Sequence, residues 1–152
     1  MSYTTAEGRE QILSDLAVAI EQIADSIAVL GEAYEQLDER AGDVLEEDLF
    51  RPVQAAYARA RRTYADFAAR SNLRARSFSA HSPGRVGQSI QSLIERAVDA
   101  VHDADQSIAD LQDSLLPVEV GDPELRAGLS GVRETLSNVA LRARELTRTV
   151  GR

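Results

Sequence analysis

Cysteine, tryptophan and lysine are all missing from this chain of 152 residues, so every one of its 17 positive side chains is arginine. Without cysteine there can be no disulfide, no thiolate metal ligand and no cysteine nucleophile, and the redox compartment is left open. Aromatic residues make up only 5% of the chain, a composition that suits packed helices better than a sandwich or barrel. Apolar runs are short. "LAVAI" at 16–20 is far below the roughly 20 residues needed to cross a bilayer. The opening "MSYTTAEGREQ" lacks the basic-then-apolar pattern of a signal peptide, so the expectation is a cytoplasmic protein with no membrane contact. No Walker loop, dinucleotide fingerprint, metalloprotease helix or nucleophile elbow occurs.

What is present is apolar periodicity. Leu16, Ile20, Ile23, Ile27, Leu30, Tyr34, Leu37, Ala41 and Val44 step alternately by four and three. Leu49, Val53, Ala56 or Tyr57, Ala60, Tyr64 and Phe67 form a second series. Val86, Ile90, Leu93, Ala97, Val101, Ala104, Ile108, Leu111 and Leu115 form a third, and Leu125, Leu129, Val132, Leu136, Val139, Ala143, Leu146 and Val150 a fourth. Steps averaging about 3.5 residues keep one apolar seam facing neighbouring helices, as in coiled coils.

The breaks agree with the seams. Thr4 precedes Glu7 by three, a capping-box start. "SPG" at 82–84 and "DPE" at 122–124 each set a capping side chain before a proline. Gly42 and Asp43 divide the first two helices, leaving Pro52 to kink the second. The expected fold is all-α: one domain, residues 1–152, forming an antiparallel up-down-up-down four-helix bundle with helices at about 5–41, 43–75, 85–115 and 123–150.

Charge is segregated along the chain. Residues 1–50 carry a net −11, residues 51–85 +7, residues 86–123 −7 and residues 124–152 +3. In an up-down-up-down ring this alternation would set opposite charge at every lateral contact and like charge only across the diagonals. The overall −8 opposes broad nucleic-acid binding.

Within the basic stretch, residues 71–85 contain no acid. Arg74, Arg76 and Arg85, with Ser77, Ser79 and Ser82, fall at the expected helix 2–3 turn, beside the free N–H groups of a helix start. That combination suggests a site for a phosphate-bearing ligand. Phe78 lies among these arginines, and Leu116, Val118 and Val120 fall in the apolar connection "LLPVEVGDPELR", so these four are candidate contact residues for another protein.

Two local patterns resemble known families. "DAVH" at 99–102 is similar to half of the carboxylate–histidine motif of ferritin-like bundles, which would imply a metal site using Glu32 or Glu35 with Asp99 and His102. The second such motif is missing, so the expectation is no metal and no cofactor. "YEQLD" at 34–38 resembles the Tyr-x-x-x-Asp element of type VII secretion substrates, but the family's Trp-x-Gly turn is absent and Tyr34 lies on the seam. The sparse catalytic repertoire and strict seams lead to a non-enzymatic bundle acting through a protein partner or a homo-oligomer. The alternative is a binding module for a phosphate-bearing ligand or nucleic acid at the basic turn, and the third reading is a ferritin-like metal-binding bundle.

Overall fold

The computed structural model describes residues 4–84 and 87–150. Arg85 and Val86 lie outside the described residues. The elements are α1 (Thr5–Glu35), α2 (Glu39–Leu45), a π-turn (Glu46–Phe50), α3 (Arg51–Arg70), α4 (Ile90–Asp113), a short α5 (Leu116–Glu119) and α6 (Pro123–Val150). Among the described residues there is no strand, and no helix is long and apolar enough to cross a membrane.

Helix starts follow the capping chemistry. The Thr4 hydroxyl oxygen accepts from the Glu7 N–H at 3.1 Å, and Asp122 Oδ1 accepts from the Leu125 N–H at 2.8 Å, so "DPE" opens α6 as the sequence indicates. Three boundaries differ. The first break falls before Gly42: α1 ends at Glu35, and Asp38 caps α2 by accepting from the Ala41 N–H at 2.8 Å. From Glu39 the helix continues through the π-turn into α3. Arg51 N–H bonds the Glu46 carbonyl, the wider spacing that relieves the clash a proline at position 52 would impose on the preceding turn. The expected irregularity at Pro52 therefore takes the form of a π-turn.

The second helix stops at Arg70 instead of 75 because Asn72 adopts the left-handed conformation, φ 57°. Leu73 N–H reaches the Ala68 carbonyl at 2.8 Å and Asn72 N–H reaches Ala69 at 3.2 Å, which together form a Schellman motif. The third helix starts at Ile90 rather than 85. Ser89 caps it by accepting from the Ser92 N–H at 3.1 Å. "SPG" at 82–84 is loop. The described residues between the two helices, 71–84 and 87–89, thus belong to one long crossover.

The four long helices pack as an all-α bundle in which each lateral contact is antiparallel. α1 lies beside α4 and α3, and α6 lies beside those same two. The directions follow from residue pairs: Ser26 meets Ala97 while Gly8 meets Leu116 and Val120, and Arg70 meets Asp122 while Thr63 meets Gly128. The crossover carries the chain from the end of α3 back along α1, so α3 and α4 run parallel across a diagonal. This corrects the expected up-down-up-down connectivity: the path is up-down-down-up, and the two acidic helices are direct neighbours.

Burial outweighs surface charge in that choice. An exposed ion pair contributes about 0–1 kcal/mol, whereas each fully buried Leu or Ile contributes about 1.5–3 kcal/mol. The α1–α4 interface is the most extensive in the fold. Ala19, Ser26 and Ala33 on α1, with Ala97 and Ala104 on α4, are all buried small residues that let the two helices approach closely. Leu93, Ile94, Val101, Ile108 and Leu111 are buried along α4. Carboxylates are displaced to the flanks: Asp25, Asp99, Asp103 and Asp110 are exposed.

Among the described residues three seam positions are exposed, Tyr34, Val44 and Leu115, the last left-handed (φ 67°) just past the end of α4. Tyr34 and Val44 are exposed because α1 ends beneath them, and the inward face of the new helix instead runs Leu45, Leu49, Val53. In α1 the buried face is wider than one seam, adding Ile12, Leu13, Ala17 and Ala24.

Candidate functional site

The basic crossover returns along the acidic helix α1, and its side chains pair with carboxylates of that helix. Arg76 Nη2 donates to Glu21 Oε1 at 2.6 Å. His81 Nε2 meets Glu21 Oε2 at 2.5 Å, and His81 Nδ1 meets Asp25 Oδ1. Glu21 and Asp25 sit one helical turn apart, so one imidazole spans both. The hydrogen bond to Asp25 is the main cause that lifts His81 above the ordinary imidazole range; partial burial opposes it, and the hydrogen bond to Glu21 adds to it.

Phe78 is partly buried. It meets Tyr64 edge-on, ring centroids 5.1 Å apart and planes at 88°, while the Arg76 guanidinium lies 4.6 Å from its centroid. Tyr64 Oη accepts from the Arg76 N–H at 3.4 Å. Arg76, Phe78 and His81 thus form a continuous clasp holding the crossover on α1 and α3.

Two recesses flank the clasp. One of about 650 Å³ opens between α1 and the start of the crossover, with Leu13, Ala17 and Leu73 as its apolar floor and Glu10, Glu21 and Arg74 at its edge. The other, about 230 Å³, lies under the clasp between Ile27 and Ala24 of α1, Tyr57 of α3, and Phe78 and Ala80.

The residues suggested as an anion site are only partly brought together. Arg74 and Arg76 both line the larger recess, but Arg76 is engaged by Glu21, and Glu10, Glu21 and Asp25 line the same space. Ser77 and Ser79 are exposed, and the Ser82 hydroxyl accepts from Gly84 N–H at 3.4 Å; none of the three lines that recess. Arg85 lies outside the described residues. The helix start invoked beside this group falls five positions later and is capped by Ser89.

The apolar connection closes one end of the bundle. Leu116 is buried, Val120 is partly buried against Gly8, and Val118 is 63% exposed. Arg9 Nε donates to the Val120 carbonyl at 3.0 Å and Arg126 Nη1 to the Pro117 carbonyl at 3.1 Å, which pins the loop in place. Of the ferritin-like set, Glu35, Asp99 and His102 are exposed. Among the described residues no group of three or more His, Asp or Glu side chains is placed to hold a metal ion.

Sequence reasoning missed Glu21 and Asp25 as partners of His81. The only signal was an i,i+4 carboxylate pair on α1, and nothing local links it to a residue 56 positions away. It also missed the opposite end of the bundle. There Tyr34 and Val44 stand 40% and 41% exposed in the segment 32–48, which carries eight carboxylates against Arg40 alone. Tyr34 is propped by Phe50, centroids 6.4 Å apart, and by Gly42 beneath its ring.

Set against family models, curated proteins and solved structures, the chain matches none of them. The site's own chemistry therefore carries the functional reading.

Proposed function

We propose that the protein acts by protein–protein contact rather than catalysis, and that its partner at the acid-rich corner is a second copy of the chain. The observation that carries this reading is the exposure of Tyr34 and Val44 among those eight carboxylates. An apolar centre ringed by charge of one sign suits a partner with the converse pattern. The chain has such a pattern at the same end of the bundle. On α6, Leu141 is 63% exposed, with exposed Arg142 and Arg144 following it. Both patches lie at the end where the π-turn meets α6. A two-fold pairing would use each patch twice, acidic corner on basic stripe.

Sedimentation equilibrium at low and high salt tests the reading. The expected result is a dimer at low salt that weakens as salt rises, and that is lost in Tyr34→Ala/Val44→Ala and in Leu141→Ala. A monomer at every concentration and salt would overturn it.

A further inference from the structure

His81 engages carboxylate oxygens through both ring nitrogens, Glu21 on one side and Asp25 on the other. A neutral imidazole has one N–H and one lone pair, so in that form one of these contacts would oppose a nitrogen lone pair to a carboxylate oxygen. Only the imidazolium donates on both sides. The arrangement is therefore a closed state that depends on a proton, held by the one ionisable side chain that titrates near neutrality.

What the proton holds shut is also defined. Between Arg76 and His81 the crossover presses Phe78 against Tyr64 and roofs the small apolar recess formed with Ile27 and Tyr57. Beyond the clasp, Ser82 and Gly84 are exposed.

We propose that His81 is a proton-operated clasp: with the imidazolium present the crossover lies closed on α1, and loss of the proton frees the segment around Phe78 to Ser82 and opens the apolar recess between α1 and α3. The charged groups facing His81 are Glu21 and Asp25 from α1, Arg76 from the crossover through its shared hold on Glu21, and Arg61 from α3. The two carboxylates hold the proton on. The guanidiniums oppose it, Arg61 being drawn aside over the Tyr57 ring at 5.2 Å. Arg76 keeps its charge and its contact with Glu21 after His81 is neutral, so the release is local to the later part of the crossover.

The sign follows from linkage. The folded state binds the His81 proton more tightly than the unfolded chain, as the raised pKa records. The stabilisation is fully present below the ordinary imidazole midpoint and is lost as pH rises through the higher folded value.

The chain's composition makes the test direct. It has two histidines, so His102→Gln leaves the ring signals of His81 alone in the spectrum. It has no cysteine, so Ser79→Cys gives a single attachment point for a spin label on the clasp. The expected result in the full chain is that His81, followed by NMR of its ring protons, titrates at clearly higher pH in the folded state than in the same chain unfolded in urea. The label at position 79 should change from immobilised to mobile with the same midpoint. In His81→Gln the label should be mobile throughout, with helix content by circular dichroism unchanged. The proposal is overturned if His81 titrates alike in the folded and the urea-unfolded chain, if label mobility does not follow the His81 transition, or if His81→Gln keeps the same pH response.

Discussion

The Ser26 hydroxyl donates to the Ala97 carbonyl at 3.1 Å, in a fully buried contact that ties the two acidic helices together. The carbonyl's other lone pair remains for its own helix, so removing the hydroxyl leaves no orphaned donor. Ser26→Ala should therefore cost only about 0.5–1.5 kcal/mol. Ser26→Leu adds volume where α1 and α4 touch and should cost about 1–3 kcal/mol, or more. Urea unfolding of the two variants distinguishes a packed interface, where Leu is the worse, from an exposed flank, where both are near neutral.

Glycines on α6 let the two basic helices, α3 and α6, approach closely. A Cβ at Gly128 would collide with the Thr63 side chain, and one at Gly131 with the Arg59 guanidinium. Thr63 is buried and donates to the Arg59 carbonyl at 2.8 Å, so it has little freedom to move. The Arg59 guanidinium is the end of a flexible, exposed side chain. Alanine gains about 1 kcal/mol of helix propensity over glycine at either site. Gly131→Ala should be neutral or mildly stabilising, while Gly128→Ala should destabilise by about 1–3 kcal/mol. Thermal unfolding of both variants under one set of conditions reads the difference.

Asp122 has two tasks. It caps α6 through Leu125 N–H, and it receives Arg70 through Nε at 2.7 Å and Nη2 at 2.9 Å. The bond from Arg70 is the main reason its carboxyl titrates below the usual range, with burial opposing and the Leu125 N–H adding. Asp122→Asn keeps an oxygen for the cap and loses the ion pair. Since about a third of the Arg70 side chain is exposed, that loss should be under about 1 kcal/mol. Asp122→Ala removes both and should cost about 1–2 kcal/mol. The ion-pair contribution is present above the unfolded carboxyl's pKa and is lost as pH falls through the lower folded value. Denaturation curves of wild type and Asp122→Asn should therefore converge in acid.

Much of the fold was legible. Thr4 and Asp122 announced two helix starts, and the seams from Leu16 to Leu30, Leu49 to Phe67, Leu93 to Leu111 and Leu125 to Leu146 all reach the core. The stop at Asn72 was missed because the left-handed cap is usually glycine, and asparagine signals it weakly. That error set the crossover too short, and a short turn implied the wrong neighbours. Charge alternation then appeared to support them, although surface pairs are too weak to choose a topology against buried Leu and Ile. The clasp was less legible still. His81 was visible only as a turn residue, and its partners are reached by a docking path that no local pattern encodes.

The adjacency of the two acidic helices, with the basic crossover laid against one of them, underlies every other inference. Ser107 Oγ donates to Gln22 Oε1 at 2.8 Å across that interface. In the cysteine-free chain, Gln22→Cys/Ser107→Cys should be joined within one molecule by a short thiol-to-thiol crosslinker. Arg62→Cys/Ser107→Cys, which pairs α3 with α4 across the diagonal, should not. Efficient closure of the second pair and failure of the first would contradict the account.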